Sequence, residues 1–141
     1  MPGVEECIFC RIVRDEAPAH RVWEDEQTLV FMDLFPVSDG HTLIVTRDHY
    51  DDMFGATPAA LGAVAATAKR MAHVIEDVLA PAGLMVFQLN RRAAGQSVFH
   101  YHMHLLPRWP DQPMRLHTRV PGEPARLSEL AGRFAERLAA L

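Results

Sequence analysis

Hydrophobic and polar positions follow two different periods along this chain. "HRVWEDEQTLVFMDLFP" sets two β-branched or aromatic runs on either side of the polar "EDEQ", the pattern of a hairpin. "HTLIVT" reads as a third strand, entered through the turn "PVSDG". From Thr57 the period lengthens: Leu61, Val64, Ala68, Met71, Ile75 and Val78 recur at three or four, Thr57 is placed to cap and Pro58 suits the first helical position. These positions predict one long amphipathic helix, closed by Pro81 and Gly83. "LMVFQLN" and "SVFHYHMHLLP" predict two more strands joined by "RRAAGQ", and Leu127, Leu130, Phe134, Leu138 and Leu141 predict a helix over 127–141. The order βββαββα predicts an α+β fold with a mostly antiparallel sheet, one long central helix and a C-terminal helix. Residues 109–126 hold four of the ten prolines and read as an extended crossing.

Composition narrows the picture. A chain of 141 residues, 49% hydrophobic and 23% charged, suits one domain with one core, so residues 1–141 are expected to form a single unit. A formal net charge of −4 argues against binding a nucleic-acid polymer, which needs a basic face to displace counterions from phosphates. No window approaches the roughly 18 uncharged apolar residues of a membrane span, and "MPGVEECIFC" lacks a basic stretch followed by an apolar one. The expectation is a cytoplasmic protein without a membrane partner.

The candidate chemistry sits in "VFHYHMHLLP". On a strand, alternate residues point to one face about 6.6 to 7 Å apart, so His100, His102 and His104 share a face with Val98, while Phe99, Tyr101, Met103 and Leu105 turn to the core. One buried histidine is ordinarily a hydrogen-bonded core group; three in a row must each be desolvated and paired, which points to function. Two readings stay open at this level: zinc ligands with an open position, or a nucleophilic imidazole held in one tautomer by its neighbours. Cys7 and Cys10 in "CIFCRI" have the spacing of two thiolates on one zinc, with two further ligands to be drawn from the eight histidines. An unused thiol pair is the competing reading; a redox pair would sit after a strand in a βαβ unit, and no strand precedes this one.

"HYHMHLL" resembles the histidine triad signature, with "GQSV" just upstream as in that family. The resemblance runs through "CIFCRIV", "VWEDEQTLVFMDLFPVSDGHTLIVTRDHY" and "LN" to "HLLPR", covering about residues 5–108. It implies a homodimeric nucleotide hydrolase or transferase acting at the α-phosphorus of nucleoside phosphoramidates or dinucleoside polyphosphates. It makes His102 the nucleophile, with no catalytic cofactor, and gives His104, Gln96 and Ser97 the phosphoryl oxygens, where a well-placed donor is worth about 3 kcal/mol. Asp33 matches the acid on the ribose hydroxyls; Asn90 and Gly95 match the phosphate side; Ile8, Phe9, Ile12, Phe31 and Leu34 match the purine slot, although core packing would serve those five as well. His41 is placed to support the triad by a hydrogen bond. In the zinc-bearing branch the CxxC pair is completed by positions matching His49 and His100, so a structural zinc would leave His102 free.

Arg91 and Arg92 depart from many relatives and read either as a solvated pair or as reaching toward outer phosphates. His20, His73 and His117 carry no motif. Two other classes stay in view: a metallohydrolase using all three triad histidines, and a purine-nucleotide-binding module without turnover.

Overall fold

The computed structural model describes residues 6–141, and the reading of a missing leader falls partly on residues 1–5, outside them. The sheet has five strands, β1 (Arg21–Glu24), β2 (Thr28–Met32), β3 (Thr42–Thr46), β4 (Gly83–Phe87) and β5 (His102–Arg108), in the spatial order β1-β2-β3-β5-β4. Every pairing is antiparallel, as expected for an α+β fold.

Alternation along the strands divides the sheet into two faces. Val22, Val30, Met32, Ile44 and Leu105 face α2 (Pro58–Leu79) and α3 (Pro124–Ala139), and pack with Val64, Met71, Val74, Ile75, Leu130 and Phe134. Burying each such side chain contributes about 1.5 to 3 kcal/mol. Leu29, Phe31, Leu43 and Val45 face the other way, onto a second cluster with Cys7, Phe9, Cys10 and Ile12 of a short helix, α1 (Ile8–Val13), and its cap. In register with this second face, Val45 stands opposite His102 and Leu43 opposite His104.

Several boundaries differ from the pattern. The helix α1 has no sequence signal because six residues are too few to show a period and its cap is a thiol: Cys7 Sγ accepts from the Cys10 N–H at 3.4 Å. Thr57 caps α2 as expected, accepting from Ala60 N–H at 3.1 Å. At its other end the left-handed residue is Ala80 (φ 46°), and Gly83 is instead the first residue of β4. The strand β4 stops at Phe87 because Gln88 and Asn90 turn to bond each other's side chains. α3 begins three residues before the expected start, at Pro124, whose fixed φ suits a first turn, and Leu141 lies exposed beyond it.

Gly40 shows why "SDG" precedes β3. Its φ is +87°, and a Cβ there would stand 2.5 Å from Leu79 Cδ1 and 3.2 Å from Pro107 Cγ. Only glycine turns there without displacing the end of α2. That turn delivers His41 to the position just before β3.

Candidate active site and metal cluster

β5 starts at His102, and His100 precedes it in a bend, because Tyr101 bonds outward: its N–H donates to Tyr50 O at 2.7 Å and its carbonyl accepts from Thr46 N–H at 3.4 Å. His100 still lies on the same side of the sheet as His102, since Phe9 packs edge-on against both rings at 5.9 and 5.0 Å. Tyr101, Met103 and Leu105 join the helix-side core as expected; Phe99 does not, and lies under the Arg92 guanidinium at 5.6 Å.

Cys7, Cys10, His49 and His100 converge, with all ligand atoms within 4.8 Å of one another. His100 Nδ1 is 3.4 Å from Cys7 Sγ and 3.5 Å from Cys10 Sγ, and His49 Nδ1 is 3.1 Å from Cys10 Sγ. Zinc arms of about 2.3 Å to sulfur and 2.0 Å to nitrogen at a tetrahedral angle set the two ligand atoms about 3.5 Å apart. The tautomers agree with that use. His100 Nε2–H donates to Thr46 O at 2.6 Å and His49 Nε2–H to Asp51 Oδ1 at 2.9 Å, so each ring turns an Nδ1 lone pair toward the sulfurs. Burial first, then the neighbouring Cys7, pushes the Cys10 thiol up to about 11. A nearby dication relieves that cost, because a coordinating thiol is deprotonated. The donor set fits zinc.

On the other side of Phe9 lies a cleft of about 350 Å³. Ile8, Phe9, Ile12, Phe31 and Leu34 all line it, as do Asp33, His41, Ser97, His102 and His104. His102 Nδ1–H donates to the His100 carbonyl at 2.7 Å, which leaves the lone pair on Nε2. Burial pushes His102 below its usual range and favours the neutral ring.

His41 and His104 form a relay. Val37 N–H donates to His41 Nδ1 at 3.1 Å, so the ring hydrogen is on Nε2, which donates to His104 Nδ1 at 2.9 Å. His104 therefore keeps its hydrogen on Nε2. Burial lowers His41 to about 4 and His104 to about 2, so both are neutral. For this reason the 3.5 Å approach of His41 Nε2 to Asp33 Oδ2 is a polar contact and no ion pair. Phe87 stacks on His104 at 4.3 Å and 10° between planes. Asp33 Oδ1 accepts from Phe35 N–H at 2.8 Å, and burial raises its carboxyl above the usual range.

In the loop 88–97 two residues expected on the phosphate side bond to the protein itself. Gln96 is buried, its Nε2 hydrogens go to Asp51 O at 2.6 Å and Val98 O at 3.1 Å, and its Oε1 accepts from Arg91 N–H at 2.5 Å. That amide has no hydrogen left for a phosphoryl oxygen. Asn90 Oδ1 accepts from Met53 N–H at 2.8 Å and its Nδ2 donates to Gln88 Oε1 at 2.8 Å, so it ties two loops together outside the cleft. Gly95 (φ +101°) makes the left-handed turn that presents Ser97. Arg91 and Arg92 are exposed outside the cleft, Arg91 over the Phe54 ring at 4.2 Å and 3.7 Å from Asp52.

Sequence reasoning passed over Pro18, Ala19, Leu43, Leu116, His117 and Thr118, all of which line the cleft. The last three belong to the Pro-rich crossing, which lines the cleft of its own chain. "RLHTR" has neither period nor motif spacing, so nothing local marks it.

The HIT domain family model matches residues 14–111. The chain belongs to the histidine triad family. Among similar HIT proteins, Protein hit of Bacillus subtilis is 39% identical over 109 residues, covering 77% of this chain and 75% of the relative. Adenylylsulfatase HINT3 of Arabidopsis thaliana is 30% identical over 119 residues, covering 80% of this chain and 60% of the relative. A crystal structure of a Zn-bound histidine triad family protein from Mycobacterium smegmatis superposes with a TM-score of 0.86 at 32% identity, covering 98% of this chain and 96% of that one. A Hit-like protein from Bartonella henselae, described as involved in cell-cycle regulation, superposes at 0.88 with 28% identity over the whole of both chains.

Proposed function

We propose that this HIT chain hydrolyses or transfers nucleotides at the α-phosphorus of nucleoside phosphoramidates or dinucleoside polyphosphates through a nucleotidyl-histidine intermediate on His102. The observation that carries this is the His102 tautomer: Nδ1–H is spent on the His100 carbonyl, so Nε2 is an unprotonated nitrogen in the cleft. In the first step Nε2 attacks phosphorus and the leaving group departs; in the second, water displaces the imidazole. One hard displacement becomes two easier ones. His104 Nε2–H, fixed by the relay from Val37 through His41, and the Ser97 hydroxyl donate to the phosphoryl oxygens. Gln96 positions the loop that carries Ser97. The purine enters between Ile8, Phe9, Ile12, Phe31 and Leu34, and Asp33 takes the ribose.

Screening adenosine and guanosine phosphoramidates beside dinucleoside polyphosphates tests this reading; binding of adenosine monophosphate with no turnover of any of them would replace it with a binding module. The metallohydrolase alternative lacks support, since His100 falls in the group Cys7, Cys10, His49 and His100 and His104 in the group Asp33, His41 and His104, so neither gathers all three triad histidines. Asp33 supplies a sharper check. An ionised carboxylate accepts from both ribose hydroxyls, and losing charge-assisted bonds costs about 1.5 to 3 kcal/mol, so a 2′,3′-dideoxy substrate should bind roughly 10- to 100-fold more weakly. Asp33→Ala should erase that difference in a calorimetric titration, whereas equal wild-type binding of the two forms would remove Asp33 from the ribose site.

Dimerisation is the second part of the proposal. β4 is an edge strand whose Val86 is exposed, and Ala65 and Ala66 on α2 are exposed and small enough for a second backbone to approach closely. Two-fold pairing of these elements would cover both. Light scattering at micromolar concentration should give about twice the 15.8 kDa chain mass, and a fully active monomer would refute it. Among the described residues no helix is long and apolar enough to cross a membrane.

A further inference from the structure

We propose that His117 is the acid that protonates the leaving group as His102 attacks. The proposal rests on the nucleotidyl-histidine reading above and goes beyond it, because His117 lies outside the triad signature.

Three observations support it. First, the residue is held in place. The segment after β5 is fastened at its start, where Arg108 donates to the carbonyls of Gln112 at 2.9 Å and Pro113 at 3.1 Å, and at its end, where Gly122 N–H donates to Leu34 O at 2.9 Å. Between these anchors Leu116, His117 and Thr118 close one wall of the cleft. Second, the ring stands in the cleft beside the groups proposed to hold the phosphoryl oxygens. It meets His104 edge-on at 6.2 Å and 84°, and a Cβ on Gly95 would be 3.7 Å from His117 Nε2. The imidazole thus spans from the oxyanion donor His104 to the loop that presents Ser97.

Third, the other cleft imidazoles are committed. His102 is the attacking group, with its hydrogen on the His100 carbonyl. Both nitrogens of His41 are bonded, and His104 receives that bond and keeps one hydrogen as a neutral donor. His117 makes no hydrogen bond among the described residues, and it is exposed, so its ring nitrogens are open to a leaving group and to water. Imidazole is the side chain suited to moving a proton at neutral pH.

The proton balance closes. As His102 Nε2 forms its bond to phosphorus, the P–N bond of a phosphoramidate breaks, its electron pair goes to the amine nitrogen, and His117 delivers the proton that releases a neutral amine. In the second step water attacks phosphorus, the P–Nε2 pair returns to His102, and the now neutral His117 takes the water proton. The nucleoside monophosphate leaves with both histidines restored.

A leaving-group comparison tests this. Single-turnover release is measured for an adenosine 5′-phosphoramidate with an alkylamine leaving group, which needs a proton, and for the p-nitrophenyl ester of adenosine monophosphate, which needs none. For His117→Gln and His117→Ala the ratio of the two rates, amine over nitrophenol, should fall about 100-fold or more against wild type, as expected for losing a general acid. Melting temperatures should stay close to wild type, because the ring is exposed. An unchanged ratio would overturn the proposal, whether both rates fall together, as for a residue that only binds, or neither falls. Wild type quenched in alkaline denaturant, where a P–N bond to imidazole survives, and analysed for adenylylated His102 separates the two levels: absence of that adduct would sink the covalent reading itself, whereas its presence with an unchanged ratio would sink only the role of His117.

Discussion

Changing His102→Ala should reduce kcat by on the order of 10³-fold or more while adenosine monophosphate still binds, because the variant loses the atom that forms the covalent bond and keeps the rest of the cleft. Most of the lining lies elsewhere: Ile8, Phe9 and Ile12 on α1 and Phe31 on β2 supply apolar wall, and Asp33 is held by the Phe35 N–H. Loss of turnover should therefore appear in kcat with little change in the dissociation constant of the nucleotide. A variant keeping a tenth of the wild-type kcat would show that no nucleotidyl-histidine on His102 lies on the path. Isothermal titration beside single-turnover kinetics separates the two quantities.

Metal removal should produce the opposite pattern. If Cys7, Cys10, His49 and His100 hold one zinc per chain, its binding free energy is folding free energy, since four ligands from positions 7 to 100 do not converge in the unfolded chain. Cys7→Ser or Cys10→Ser should lower the melting temperature by on the order of 10 °C, the scale of a loss of several kcal/mol in a domain of this size. Chelation should do the same. The effect on kcat of molecules still folded should be far smaller, because neither cysteine lines the cleft. Any kinetic loss should fall mainly on KM, since α1 carries Cys10 on its buried side and Ile8, Phe9 and Ile12 along the cleft. The His102→Ala protein should keep its metal. Zinc lost from that variant, or full zinc retained by a Cys7/Cys10 double variant, would place the ion on the triad and overturn this assignment; metal analysis of the purified proteins decides it.

The elements with a long period were legible. The hairpin around "EDEQ", the third strand after "SDG" and the helix from Pro58 stand where their patterns put them, because the period of side-chain direction is a local property of strand and helix. For the same reason the alternation in "HYHMHLL" placed His102 and His104 on one face and Tyr101, Met103 and Leu105 on the other. The cysteine spacing pointed to a metal for a chemical reason independent of fold: two thiols one helical turn apart suit one soft cation. The boundaries set by single contacts were not legible. Tyr101 bonds to Tyr50 and delays β5, and a thiol caps a helix too short to show a pattern.

What the sequence by itself determined was therefore the list of chemical groups and the side of the sheet each one faces. The tertiary structure decided which groups share a hydrogen. It committed the amide of Gln96 to Asp51 and Val98, turned Asn90 toward Met53, set the His104 tautomer through His41 and Val37, and laid His117 across the cleft from a segment with no periodic signal. The physical reason is range. The direction of a side chain follows from the backbone a residue or two away, whereas a hydrogen bond is made only where folding brings a donor within about 3 Å of an acceptor, whatever their separation along the chain.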